Sequence, residues 1–282
     1  MNRQSLLLLL ALLFLGAISA RGQSGFFTRY QARVAATQAS QPHWATPLVT
    51  INARLEQQIR TDFIRQTSPS GQQTWNLGAT KGFQFIPLSR VEIRISPPPF
   101  LMHYESKASD GFGDLAFRGK YRFYGSNEQH RNAIVTAVLN AGIPTGKNAN
   151  GSCCAIVTPA LDMGKGYRNL ALMTSIGGTL PISNATKLGH TIVWSNTLQY
   201  HAARLIWLHA EFTSTFFKGG SNDGKIQTFV TPDILISRMT LRHGAAGQPD
   251  VLGLTLGAGE QIALTHFHTF NHSPVLTLRV RF

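Results

Sequence analysis

The fold is read most directly from Val49-Thr-Ile-Asn-Ala-Arg-Leu-Glu-Gln-Gln-Ile-Arg-Thr-Asp-Phe63. Odd positions carry Val49, Ile51, Ala53, Leu55, Ile59 and Phe63, with Gln57 and Thr61 as polar exceptions. Even positions carry Thr50, Asn52, Arg54, Glu56, Gln58, Arg60 and Asp62. A period of two places successive side chains on opposite faces of a strand, so one face is apolar and the other highly charged. Strands of soluble sandwiches run about 5–6 residues and transmembrane strands about 9–11. The length of this alternation therefore predicts a membrane barrel.

Composition agrees. The chain has 282 residues, 43% of them hydrophobic but only 14% charged, and a formal net charge of +13. A soluble domain carries about 25% charged residues, so part of this surface meets something other than water. Beyond the N-terminus no apolar run approaches the roughly 20 residues of a membrane-spanning helix, which excludes a helical membrane protein. A mean hydropathy of -0.04 with few charges is what one-by-one alternation produces.

The same pattern recurs downstream. Trp75, Leu77, Ala79, Phe83 and Phe85 oppose Asn76, Gly78, Thr80, Gly82 and Gln84, and Lys81 on the apolar face calls for a bulge or a paired site. Val91, Ile93 and Ile95 oppose Arg90, Glu92 and Arg94. After a link with three consecutive prolines, Pro97 to Pro99, Leu115, Phe117, Tyr121 and Phe123 alternate with Asp114, Arg118, Lys120 and Arg122. Eight further segments read as strands: 132–143, 155–164, 170–180, 191–200, 205–217, 227–237, 251–259 and 274–282. The prediction is an all-β chain forming a single antiparallel transmembrane barrel of about twelve strands, of the outer-membrane type, over residues 48–282.

Ahead of the barrel, Arg3, the apolar run Leu6 to Leu15 and Ala20-Arg21-Gly22 form an export signal with a small-x-small cleavage site, so residues 1–22 are expected to be removed. Residues 23–47 do not alternate. Phe26, Tyr30 and Val34 repeat every four positions, which predicts a short helix from about Phe26 to Gln38, ended before Pro42, in a segment read as a weakly ordered periplasmic leader, with a plug as the alternative. Cys153 and Cys154 are adjacent, too close for ordinary disulfide geometry, and read as two loop residues.

If the first strand runs outward, Phe85, Phe123, Tyr200 and Phe282 fall at inner strand ends on the apolar parity, and Phe63, Trp75 and Phe216 at outer ends. These are the two aromatic belts of a membrane barrel. The last strand, with Leu276, Leu278, Val280 and Phe282 opposing Thr277, Arg279 and Arg281, looks like the C-terminal signal by which such barrels engage their assembly machinery. The stretches Gly111-Phe-Gly-Asp-Leu-Ala-Phe-Arg-Gly-Lys-Tyr121, Gly142-Ile-Pro-Thr-Gly146 and Thr158-Pro159-Ala-Leu161 resemble the bacterial family named for the MetA pathway of phenol degradation. That resemblance, over about residues 48 to 282, implies an outer-membrane β-barrel transporter linked to uptake of aromatic compounds. It brings no set of functional residues with it.

The polar parity is strongly basic. Arg54, Arg60, Arg90, Arg94, Arg118, Lys120, Arg122, Arg279 and Arg281, with Glu56, Glu92 and Asp114 among them, are expected to line the lumen, because lipid does not tolerate such charges. They either form a ladder of ion pairs or an electropositive strip for anionic solutes. His266, His268 and His272 have a metal-like spacing but lack a convincing carboxylate or Cys partner besides Glu260, so an exposed loop is preferred. Gly142 to Asn148 has one residue too few for a phosphate loop, and there is no Gly-x-Ser-x-Gly elbow. The reading is therefore a passive outer-membrane channel for small aromatic or hydrophobic compounds, not an enzyme, without cofactor or nucleic-acid partner. The alternatives are an anion-preferring general porin and, behind it, a barrel-embedded lipid-modifying enzyme.

Overall fold

The computed structural model describes residues 24–104, 108–147, 150–242 and 252–282. The export signal expected over residues 1–22 lies outside them. A helix, α1 (Ser24–Ala39), precedes fourteen strand segments: β1 (Gln58–Thr67), β2 (Gln73–Leu88), β3 (Val91–Ser96), β4 (Phe100–His103), β5 (Gly111–Phe112), β6 (Leu115–Ser126), β7 (Ala133–Ile143), β8 (Ile156–Tyr167), β9 (Leu170–Pro181), β10 (His190–Ala203), β11 (Ile206–Lys218), β12 (Ile226–Arg242), β13 (Leu252–Ala263) and β14 (His272–Arg281).

Every pairing is antiparallel, and β1 bonds both β2 and β14, which closes the sheet. The barrel has twelve staves because two of them are each made of two segments. β3 and β4 both pair with β2 and form one stave; the prolines at 97–99, which have no N–H to give to a ladder, split it. Their partners β6 and β5 form the next stave. The link expected at the prolines thus lies inside a stave. Opposite Lys81 the ladder slips, with Arg60 facing Gly82 and Asp62 facing Ala79, a bulge that is one of the two outcomes expected at the break in alternation.

Leu88 and Val91, Tyr167 and Leu170, and Ala203 and Ile206 are joined by two-residue turns at the end of the barrel that holds Phe282. At that end β12 and β13 are joined through 243–251, which lie outside the described residues. The links at the opposite end, 144–155, 182–189, 219–225 and 264–271, are longer. Although the inner link 127–132 is one residue longer than the outer link 68–72, the two-residue turns lie at one end and the longest described loop between staves, 144–155, at the other, which fixes the inner and outer ends. Outward-facing residues are large and apolar: Ile59, Phe63, Leu139, Ile176, Leu198, Leu208, Ile234 and Leu276 are all exposed on the wall. A barrel in lipid has to present this face, since no water is there to solvate a polar one.

The first strand begins later than the alternation predicts. β1 starts at Gln58, and residues 44–57 are buried or half-buried inside the barrel.

Candidate functional site

The inner half of the lumen is threaded by the chain's own N-terminal segment. α1 sits beneath the inner mouth with Val34 packed on Leu55 and Ile86, and Tyr30 Oη donates to Gln57 Oε1 at 2.7 Å. From there the chain rises into the lumen, turns near Leu48 and descends to β1. Gln41 clasps the base of this loop, its Nε2 donating to Leu55 O at 2.8 Å and its Oε1 accepting from Leu55 N at 3.0 Å. The loop's ends are therefore held together as in a compact Ω-loop.

Loop backbone is not paired in any ladder, so its polar groups need partners from the wall. The wall supplies them from seven staves. Arg279 Nη1 and Nη2 donate to Thr46 O (2.6 Å) and Pro47 O (2.7 Å), and Arg60 Nη2 to Leu48 O. Gln199 Nε2 donates to Ala45 O at 2.9 Å, Thr136 Oγ1 to Ala53 O at 2.6 Å and Lys120 Nζ to Arg54 O at 2.8 Å. Glu92 accepts from Glu56 N at 2.6 Å. Glu211 is the central acceptor: its carboxylate takes the N–H groups of Leu48, Val49 (3.1 Å) and Thr50 (2.6 Å) at the loop's apex. Thr50 and Thr197 hydroxyls meet at 2.6 Å.

The apolar part of the loop has its own seat. Trp44, Ala45, Leu48 and Ala53 pack on Ile134, Ala171, Met173, Trp207, Leu235 and Val275, which point into the lumen. Space for Trp44 is made by glycines: a Cβ on Gly164 comes within 2.5 Å of the Trp44 ring, and one on Gly166 within 2.7 Å of its Nε1. At the inner rim, Glu128 on the β6–β7 turn accepts from His43 Nδ1 at 2.7 Å and from its backbone N–H. Partial burial raises the Glu128 carboxyl, but the hydrogen bonds from His43 outweigh it and bring the group down to about 2.

Of the residues expected on the lumen face, Arg60, Glu92, Arg94, Lys120, Arg122 and Arg279 are buried inside the barrel, with Arg118 and Arg281 partly buried. Arg60 pairs with Asp62 at 2.7 Å and Lys120 with Glu92 at 3.1 Å. Arg94 and Arg118 stand directly opposite each other, as do Arg60 and Arg279. Four expectations are corrected in position. Arg54 and Glu56 are in the lumen but on the inserted loop, where they pair at 3.1 Å, because the strand begins only at Gln58. Arg90 is exposed on the β2–β3 turn. Asp114 lies in the gap between β5 and β6, where it accepts Gly146 N (2.9 Å) and Ser152 N (2.7 Å) and so tethers the outer loop 144–155.

Phe63, Trp75, Phe85, Phe123, Tyr200, Phe216 and Phe282 all stand on the lipid-facing parity. At the inner end Phe282 stacks on Phe83 with centroids 5.3 Å apart, and Tyr121 meets Phe123 edge-on at 5.2 Å. At the outer end Arg65 covers the Trp75 ring. The histidines near the outer rim converge on no common point: His268 bonds Thr265 O and Asn271 Oδ1, and His272 bonds Glu260. Cys153 and Cys154 are both free thiols in the outer loop.

Two features were not read from the sequence. Arg238 sits at a β-bulge in β12 with φ 61°, where the pairing slips between Ile236 and Met239. The bulge turns its side chain inward beside Ser237, as bulges do. Arg238 then joins Arg54, Arg279, Arg281, Glu56 and His43 around a cavity of about 220 Å³ between α1 and the wall. The second is a buried trio, His209, Glu211 and Asp233, on β11 and β12.

No protein-family model matches the chain, and no curated protein matches it in sequence. Solved structures do. The COG4313 outer membrane channel from Pseudomonas putida F1 is 13% identical, with 84% of this chain and 99% of that chain covered at a TM-score of 0.56. The NanC porin is 8% identical, with 80% and 98% covered at a TM-score of 0.50. At these identities the likeness is one of fold, and that fold is the outer-membrane β-barrel.

Proposed function

We propose that this protein is an outer-membrane channel for passive passage of small solutes, closed in the described conformation by residues 44–57. The observation that carries the reading is the inserted loop: a wall that spends buried side chains from seven staves on one segment is built to hold that segment. The two similar structures are named as a channel and a porin, which supports the same reading. Opening consists of the loop leaving the lumen. Locking it tests this. In a chain with both native cysteines replaced by Ser, Thr50→Cys with Thr197→Cys joins loop to wall where the two hydroxyls now meet at 2.6 Å. Planar-bilayer recordings are expected to show openings under reducing conditions and none after oxidation. Openings that persist in the oxidised, cross-linked protein contradict the proposal.

The MetA-pathway resemblance supports aromatic compounds as the solutes. The cavity at the inner mouth favours those that carry a negative charge, since Arg54, Arg238, Arg279 and Arg281 surround it against Glu56 alone. Arg238→Gln with Arg281→Gln is expected to move the reversal potential in a salt gradient toward cations. An unchanged reversal potential assigns these arginines to holding the loop.

A further inference from the structure

Two histidine groups offer themselves as ligands, and they differ in one respect. Every other described histidine is exposed or has a hydrogen-bond partner, whereas neither ring nitrogen of His209 has one, although its side chain is 0% exposed. Directly across the ladder is Asp233, also with a side chain 0% exposed and both oxygens without a hydrogen-bond donor. The His209 Nδ1 to Asp233 Oδ1 distance is 3.1 Å, out of hydrogen-bonding alignment. Two residues along β11 on the same face is Glu211, and one ligand atom from each of the three lies within 4.8 Å of the others. A buried imidazole with neither nitrogen hydrogen-bonded, set beside two buried carboxylates, is costly unless something satisfies it.

The geometry points to a divalent transition-metal site formed by His209, Glu211 and Asp233, with zinc as its most suitable ion. Imidazole and carboxylate suit such ions, and zinc binds N and O donors at about 2.0–2.2 Å. Tetrahedral angles then place donors about 3.5 Å apart, so a trio whose ligand atoms already lie within 4.8 Å of one another closes on a metal by shifts of under about 1 Å each. A 2+ ion balances the two carboxylates. Glu211 stays able to serve both sides, because a carboxylate offers about four acceptor positions and the N–H groups of Leu48, Val49 and Thr50 do not use them all. Gln199, opposite His209 in the ladder with a buried Oε1 that has no partner, is placed to orient the imidazole as metal-bound histidines require. Gly259, opposite Asp233, keeps the site open: a Cβ there falls 2.5 Å from Asp233 Cβ and 2.7 Å from Leu48 Cδ2. The metal would thus sit where β11, β12 and the loop's apex meet, and occupancy would hold Glu211 in the orientation that grips the loop.

The test uses the full chain in detergent, stripped with chelator and titrated with Co²⁺, then with Zn²⁺ as competitor. One Co²⁺ per chain is expected, with visible d–d bands but without the near-ultraviolet thiolate band that Cys153 and Cys154 would give. His209→Ala and Asp233→Asn are each expected to weaken binding about 100-fold, and replacing His266, His268 and His272 together by Gln to leave it unchanged. Heat-modifiable gel migration reports whether each variant is folded, and zinc is expected to raise the unfolding temperature of the wild type but not of Asp233→Asn. Absence of stoichiometric binding to the folded wild type overturns the site. So does binding that survives in folded Asp233→Asn or disappears with the rim histidines.

Discussion

Gly164 and Glu211 show how single positions hold the loop in place. Gly164 faces the lumen on β8, and its missing side chain is the space that the Trp44 ring fills. Adding one methyl there overpacks a buried contact, an error that costs about 1–3 kcal/mol. Because the barrel ladder does not depend on Trp44, Gly164→Ala is expected to leave the wall intact while weakening the seat. Trp44 fluorescence should shift to the red and open-channel events should become more frequent; unchanged fluorescence would place Trp44 elsewhere. Positions of this kind were only half legible in the sequence. Gly164 and Gly166 stand on the lumen-facing parity of β8, and nothing in an alternating pattern says that a distant indole occupies the gap. Arg238 was hidden for the opposite reason: a bulge changes the parity, so its inward aim is invisible until the register slip is seen.

Among the elements, the inserted loop is where alternation misled. Residues 49–57 alternate as a strand does, yet form none, because both of their faces are satisfied inside the lumen: Ala53 and Leu55 by apolar wall residues, Thr50 by Thr197 of the wall, and Arg54 and Glu56 by each other within the loop. A signal was present on the wall. Ile86, Ile134, Met173, Trp207, Leu235 and Val275 break the polar parity, and apolar residues on both faces of the inner half of a barrel imply a guest in the lumen. The latch at the loop's start makes a pH prediction. The Glu128 carboxyl, ordinarily at 4.5, is held at about 2 by His43, so its contribution is complete above about pH 4.5 and is lost as pH falls through 2. Acidifying the inner side over this range is expected to raise the opening frequency. In Glu128→Gln the frequency should start higher and lose that part of its pH dependence; an identical profile would show that the latch does not restrain the loop.

At the scale of the whole molecule, the barrel itself was the most legible feature. Apart from β4 and β5, which lie where a link was expected, the segments after β1 recover the expected strands to within a few residues, because lipid outside and a wet or packed lumen inside impose the same period of two on each stave. The low charge content is also explained at this scale: apolar side chains cover the outside, and charges turn inward to pair or to bind the loop. What the wall alone does not disclose is whether the lumen is open, since a barrel of this size can be filled or hollow. The loop answers that, and its removal tests the answer most directly. A chain lacking residues 24–57, verified as folded by heat-modifiable migration, is to be compared with the full chain in planar bilayers. The account predicts rare, brief openings for the full chain and a steady, larger conductance for the truncated one. Equal conductance from the two folded proteins would contradict it.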